Sequence, residues 1–250
     1  MLTGVIMTGM GGLLATVALA ATVAAGPLDG RVVVLDPGHN GGYSERINRQ
    51  VHVGGGMHKA CNTTGTSTNA GYAESRYTLT VAREAARVLR ARGATVVLTR
   101  HRFDGIGPCI TKRAAIANRA GADAAVSIHA DGGPAGGRGF HVIRPTLIEG
   151  LTDDIYAPSR RLARVMRAEY GAVTGLPRST YLGGDGLVAR SDLGGLRLAD
   201  VPAIFVETAN MRNATDAAKV TSSRFRKRIA RGIAAGVTRY LKRSSIQAAP

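Results

Sequence analysis

The sequence predicts an α/β fold: a single layered domain whose central, mostly parallel, twisted sheet of about six strands is flanked by helices. Three observations carry this. Short β-branched apolar runs alternate with segments of 3.6-residue apolar periodicity. The runs are apolar throughout, as in strands buried on both faces. No repeat or second composition regime divides the 250 residues.

Taken in order, residues 31–36 (RVVVLD) read as the first strand, which breaks at Pro37-Gly38. The Gly-rich stretch 41–71 is too long for a simple connection and reads as a functional loop or a small embellishment. Across 72–92, Leu79, Ala82, Ala86 and Leu89, with Val81, Ala85 and Val88 beside them, recur every three or four residues. Arg83, Arg87 and Arg90 lie opposite, so this is an amphipathic helix, stopped by Gly93. A strand at 95–99, a short helix at 111–120, a strand at 124–129 (AAVSIH) and another at 139–143 (GFHVI) follow. The spacing of Leu162, Val165, Met166 and Tyr170 makes 158–173 helical. Residues 203–207 (AIFVE) are again a buried strand, and Phe225, Ile229, Ile233 and Val237 share one face of a closing helix at 222–242.

Composition narrows the partners. Hydrophobic residues at 44% and charged residues at 20% describe an ordinary core and exclude wholesale disorder, and 33 glycines without a strict repeat exclude collagen. Aromatic residues are 4% with no Trp, which leaves few stacking platforms for single-stranded nucleic acid, so nucleic acid is not the expected partner. The net charge of +16 calls for something anionic nearby, without saying what. Residues 1–25 contain no charged side chain, and 12–25 (GLLATVALAATVAA) are apolar and end in small residues. They read as a secretory signal peptide, leaving 26–250 as the exported body; retention as an anchor is the alternative. No later stretch is long and apolar enough to span a membrane. The expected location is therefore the periplasm, cell wall or medium. There Cys61 and Cys109 can close a disulfide around a loop of about 49 residues, the alternative being two separate thiols. Neither has a CxxC partner, which excludes a thiolate zinc knuckle.

In open α/β sheets, ligands gather outside the carboxyl ends of the strands. The polar residues there are few: His39 follows the first strand, His129 ends the third and Glu207 ends the AIFVE strand, while Glu74 opens the helix leaving the long loop. Two His and one Glu with an open fourth position recur as ligands of catalytic zinc, and a further Glu outside the set is what such a site needs as a base. His52, His58, His101 and His141 read as loop or surface residues. Of these, only His52 and His58 could substitute as ligands.

The segments VVLDPGHNGG (33–42), AES (73–75), SIHAD (127–131) and PAIFVETAN (202–210) together resemble the four signature blocks of the zinc-dependent N-acetylmuramoyl-L-alanine amidases of the family 3 type, in its short mycobacterial form. The resemblance implies Zn²⁺ on His39, Glu74 and His129, and Glu207 as the catalytic carboxylate. It further implies hydrolysis of the amide between the lactyl group of N-acetylmuramic acid and L-alanine of the peptidoglycan stem peptide. The chain departs from the family pattern at Asn40 and at Thr208-Ala209-Asn210, which bears on substrate fit more than on metal binding. No separate wall-binding module is visible, and the protein is expected to act as a monomer. Arg224, Arg226, Lys227, Arg228, Arg231, Arg239, Lys242 and Arg243 load the last helix with cations, either as a solvated face or as an attraction for anionic wall polymers. Two competing readings are a zinc peptidase or amidase acting on another amide, and a non-catalytic basic wall-binding protein.

Overall fold

The computed structural model describes residues 26–247; the expected signal peptide at 1–25 lies outside the described residues. Six strands form the central sheet: β1 (Val32–Pro37), β4 (Thr95–Leu98), β5 (Ala124–Asp131), β6 (His141–Pro145), β7 (Leu187–Arg190) and β8 (Ala203–Asn210), in the order β4-β1-β5-β8-β6-β7. Pairing is parallel from β4 through β8. The β6–β7 pair is parallel within itself but antiparallel to β8. A small antiparallel hairpin, β2 (Gln50–His52) and β3 (His58–Ala60), stands apart.

Alternation along each strand sorts side chains onto two faces. Val33 and Leu35 of β1, Val126, Ile128 and Ala130 of β5, Val142 of β6 and Ile204 and Val206 of β8 join the main core. There they meet α1 (Glu74–Arg90), α3 (Asp153–Thr174) and α6 (Ser223–Gln247). On α1 the buried positions Tyr77, Val81, Ala82, Ala85, Ala86 and Leu89 follow the helical period, and α6 packs against both α1 and α3. The opposite face carries α2 (Ile110–Arg119) and the single turn α4 (Gly194–Arg197), which pack together over small clusters around Val34, Ala117 and Leu196. A short α5 (Ala214–Thr221) links β8 to α6.

Three readings change, and that of the 41–71 stretch gains detail. The sixth strand is β7, only four residues long behind a glycine-rich turn, too short to register as a periodic segment. Helix α3 begins at Asp153 rather than at residue 158. Asp153 and Asp154 favour the positive end of the helix and Ile155 is buried, so Pro158 merely omits one hydrogen bond near the start. The 41–71 stretch holds a 3₁₀ turn (Glu45–Asn48) and the β2–β3 hairpin. His141 is neither loop nor surface: it opens β6, between β8 and β7, and is 1% exposed.

Cys61 and Cys109 are joined as a disulfide with a Cα–Cα distance of 4.6 Å, tying the end of the hairpin to the residue before α2. Backbone bonds from Cys61 N to Arg49 O (2.8 Å) and from Ile110 N to Cys61 O (2.8 Å) reinforce the junction. Replacing both cysteines by serine is expected to lower unfolding stability by about 2–5 kcal/mol, read as a reduced urea midpoint. An unchanged midpoint would contradict the staple.

Candidate metal centre

Chain order reverses at β1: the chain leaves it through α1 to β4 on one side and returns as β5 on the other. Such a switch point opens a crevice at the carboxyl ends of the two strands. His39 follows β1 into this crevice and His129 lies near the end of β5. The turn between them is tight. Gly38 donates its N–H to Ile128 O (2.9 Å), and a Cβ at Gly38 would collide with the His129 ring. His39 itself holds φ at 60°, the left-handed region that side chains seldom adopt. Arg113 fixes it there, reaching from α2 to donate to His39 O (2.8 Å), Asn40 Oδ1 (2.8 Å) and Pro37 O (2.7 Å).

The same guanidinium pairs with Asp36 Oδ1 at 2.7 Å. Burial raises the Asp36 pKa, but Arg113 together with hydrogen bonds from Ser127 and Thr99 outweighs it and holds the carboxyl at about 2. Ser127 Oγ donates to Asp36 Oδ2 (2.6 Å) and lies 3.2 Å from His129 Nε2. Having given its hydrogen to Asp36, the hydroxyl can only accept from the ring. His129 therefore carries its hydrogen on Nε2 and turns the Nδ1 lone pair inward. His39 Nδ1 likewise donates to Thr63 O (3.1 Å), leaving its Nε2 lone pair free.

Glu74 completes the set. It is the first residue of α1 and is 3% exposed; its Oε2 accepts from Thr66 N (2.9 Å) and its Oε1 from Ala130 N (3.1 Å). His39 Nε2 lies 3.1 Å from His129 Nδ1 and 3.2 Å from Glu74 Oε2, and His129 Nδ1 lies 3.1 Å from Glu74 Oε1. The three residues form the one cluster of metal-ligand type among the described residues. Burial opposes charge on Glu74, yet the two imidazoles hold its carboxyl below the usual range; burial keeps the His129 ring neutral, whereas at His39 the Glu74 carboxylate outweighs burial and raises the pKa. In their neutral tautomers the three residues turn nitrogen and oxygen lone pairs toward one point, where the Glu74 carboxylate favours a cation. A tetrahedral zinc with bonds of about 2.0–2.1 Å spaces its ligands about 3.3 Å apart, so both spacing and donor types fit that ion.

Glu207 stands on β8 in register with His129 of β5. Its Oε2 is buried without a hydrogen-bond partner. Burial, then the charges of Glu74 and Asp131, raise its proton affinity well above that of an ordinary carboxylate. Phe205, two residues earlier on the same face, stacks on the His129 ring with centroids 5.1 Å apart. Beside the two imidazoles opens a cavity of about 220 Å³, lined on its far wall by Lys59, Ile110 and Leu193.

The four residues singled out from the sequence converge here. His52 and His58 do not: they face each other across the β2–β3 hairpin, exposed, with ring centroids 5.3 Å apart. The residues that departed from the family pattern serve the frame. Asn40 is buried on Arg113 and also bonds Ile106 O. Thr208 Oγ1 donates to His129 O and accepts from Tyr77 OH (2.7 Å). Asn210 Nδ2 donates to Pro134 O and Gly137 O. Sequence reasoning missed Thr63, Gly65 and Thr66, which bring the long loop over the site. Gly65 has φ of 79°, and a Cβ there would strike both Glu74 and His39. The Gly-Thr composition of that stretch was the available signal.

Residues 33–239 match the family of N-acetylmuramoyl-L-alanine amidases. An N-acetylmuramoyl-L-alanine amidase of Mycobacterium tuberculosis is 42% identical over 222 residues, 89% of this chain and 91% of that one. The crystal structure of an N-acetylmuramyl-L-alanine amidase from Mycobacterium smegmatis superposes with a TM-score of 0.82 at 40% identity, covering 86% of this chain and 98% of the other. The apo form of the enzyme from Mycobacterium abscessus gives 0.81 at 44% identity, covering 85% and 99%.

Two outcomes follow from the frame around His129. Ser127→Ala removes the acceptor that sets the ring's tautomer and is expected to weaken zinc binding about 10–100-fold in a chelator competition, with the circular dichroism unchanged. Asp36 titrates at about 2 when folded and near 4 when unfolded, so it contributes about 2 kcal/mol that is fully present above pH 4 and lost as the pH falls through 2. Asp36→Asn should accordingly be less stable than the parent at pH 7 by urea unfolding, and the gap should narrow as the pH drops from 4 to 2. A gap independent of pH would contradict the ion-pair account.

Proposed function

This chain belongs to the N-acetylmuramoyl-L-alanine amidase family, and from that premise we propose that it is a zinc-dependent peptidoglycan hydrolase cleaving the amide between the lactyl group of N-acetylmuramic acid and the first L-alanine of the stem peptide. The observation that carries the metal is the convergence of ligand atoms from His39, Glu74 and His129 on one point, beside Glu207, whose Oε2 is buried without a hydrogen-bond partner. Zinc bound there supplies a Lewis acid that polarises a carbonyl and lowers the pKa of water.

The chain's own residues do the rest. Asp36, Ser127 and Thr63 hold the two imidazoles as acceptors toward the ion, and the N–H groups of Thr66 and Ala130 hold Glu74. Glu207 takes a proton from the attacking water and returns it to the departing alanine nitrogen; its raised proton affinity suits a group that must accept before it donates. Phe205 covers one face of the His129 ring and keeps water from it.

The disulfide and the basic exterior support an exported protein working on the wall. Of the eight cations on α6, seven are exposed: Arg224, Lys227, Arg228, Arg231, Arg239, Lys242 and Arg243. Arg226 is half-buried and donates to Val220 O (3.0 Å) and Thr221 O (2.6 Å). The exposed ridge is read as the adhesive for anionic wall polymers.

Glu207→Ala is expected to lose about 10²–10⁴-fold in turnover with zinc retained, whereas His39→Ala loses both turnover and metal. Muropeptide mass spectrometry should show glycan bearing a free lactyl group, absent after chelation. Full activity in Glu207→Ala would refute the assignment. Converting Arg224, Lys227, Arg228 and Arg231 to Gln should weaken sedimentation with wall polymer and its salt dependence, while cleavage of a small soluble muropeptide is unchanged.

A further inference from the structure

One buried histidine takes no part in the chemistry described above. His141 pairs directly with Glu207 across the antiparallel β6–β8 ladder, as His129 does from the parallel side. Paired residues on neighbouring strands point to the same face of a sheet, so His129, Glu207 and His141 form one row, with the carboxylate in the middle. Next along β6, Ile143 is in register with Phe205, which confirms that this is the cleft face and not the face covered by α1, α3 and α6.

Both members of the His141–Glu207 pair carry an orphan. His141 Nδ1 and Glu207 Oε2 are buried side-chain atoms without a hydrogen-bond partner. Each such group costs about 1–3 kcal/mol, and two of them at opposed positions can be relieved together by one hydrogen bond. Directly opposed Cβ atoms lie about 4.5–5.5 Å apart, which places a ring Nδ1 within reach of a carboxylate after a modest side-chain rotation. Burial keeps the His141 ring neutral, so it has one N–H to give. The other groups around it are Asp131 at the end of β5, Arg190 on β7, and Tyr181, whose ring meets it edge-on at 6.3 Å. Asp131 Oδ2 already accepts from Tyr181 OH (3.0 Å), and Arg190 is paired with Asp192 (2.7 Å). Glu207 Oε2 is the buried acceptor in this row that has no hydrogen-bond partner.

We propose that His141 is a positioning residue that acts through Glu207, donating from Nδ1 to Oε2 so that the other carboxylate oxygen is turned toward the metal centre. The inference rests on the amidase reading and on Glu207 as the proton carrier. It gives the carboxylate a fixed face on each side: the metal centre toward β5, an orienting imidazole toward β6.

The test compares the zinc-loaded parent with His141→Leu, which keeps the bulk and loses the donor, and His141→Asn, whose amide places an N–H near the position of Nδ1. On a soluble muropeptide, His141→Leu should lower kcat about 10–100-fold with KM within twofold of the parent and zinc content unchanged. His141→Asn should recover most of that loss. In ¹⁵N-histidine spectra of the parent, His141 should carry its hydrogen on Nδ1, and Glu207→Ala should shift that signal; this measurement stands even if the leucine variant folds poorly. A kcat within twofold of the parent in His141→Leu, equal losses in the Leu and Asn variants, or a hydrogen on Nε2 indifferent to Glu207→Ala would overturn the proposal. If the parent itself leaves the muramoyl-alanine amide intact, the functional reading falls instead.

Discussion

The arrangement of the cleft depends on the buried ion pair between Arg113 and Asp36. One guanidinium from α2 satisfies the carboxylate at the end of β1 and three acceptors on the turn that follows, and it also donates to Pro108 O (3.0 Å). A buried pair of this kind is worth keeping only when its hydrogen bonds are complete, because desolvation otherwise cancels the attraction. Here completeness does a second job. The bonds hold His39 in a backbone conformation that costs free energy on its own, and they deliver Asp36 to Ser127 as the acceptor that sets the His129 tautomer. Arg100, parallel in role, ties the same turn to α1 by donating to Pro37 O, Gly38 O and Ser75 O. Two arginines thus stitch the turn that carries His39 to helices on both faces of the sheet.

The long loop is the other half of the frame. It carries Thr63, which orients His39, and Thr66, which holds Glu74, and it is anchored immediately upstream by the Cys61–Cys109 disulfide. Cys109 caps the very helix that bears Arg113. The covalent link and the ion pair therefore brace the same corner, which explains why a loop so rich in Gly and Thr can position donors to within hydrogen-bond tolerance. Asp36, Glu74 and Glu207 place buried carboxyl groups around the cleft, while seven of the eight cations of α6 lie on the exterior.

The residues at strand ends were legible in the sequence because apolar runs mark buried strands and a polar residue ending such a run must have a partner. That argument reached His39, His129 and Glu207, and the helical period placed Glu74 at the start of α1. The α/β layering and the near-continuous β-branched strands followed from the same periodicities. A lone pair of cysteines in a chain with an export-like beginning pointed to the disulfide.

What the sequence could not reveal depends on contacts between segments far apart in the chain. Arg113 looks like any solvated helical cation until α2 docks against the end of β1, and Ser127 and Thr63 gain meaning only once their neighbours arrive. The short strand β7 and the reversed direction of β6 are decided by packing, since four residues carry too little pattern to declare themselves. That reversal is what sets His141 opposite Glu207: local pattern says that a residue lies in a strand, but the register between strands is fixed by the summed burial of both faces. The sequence alone determined which groups are available for chemistry; their pairing across strands, and so which lone pair meets which hydrogen, belongs to the tertiary structure.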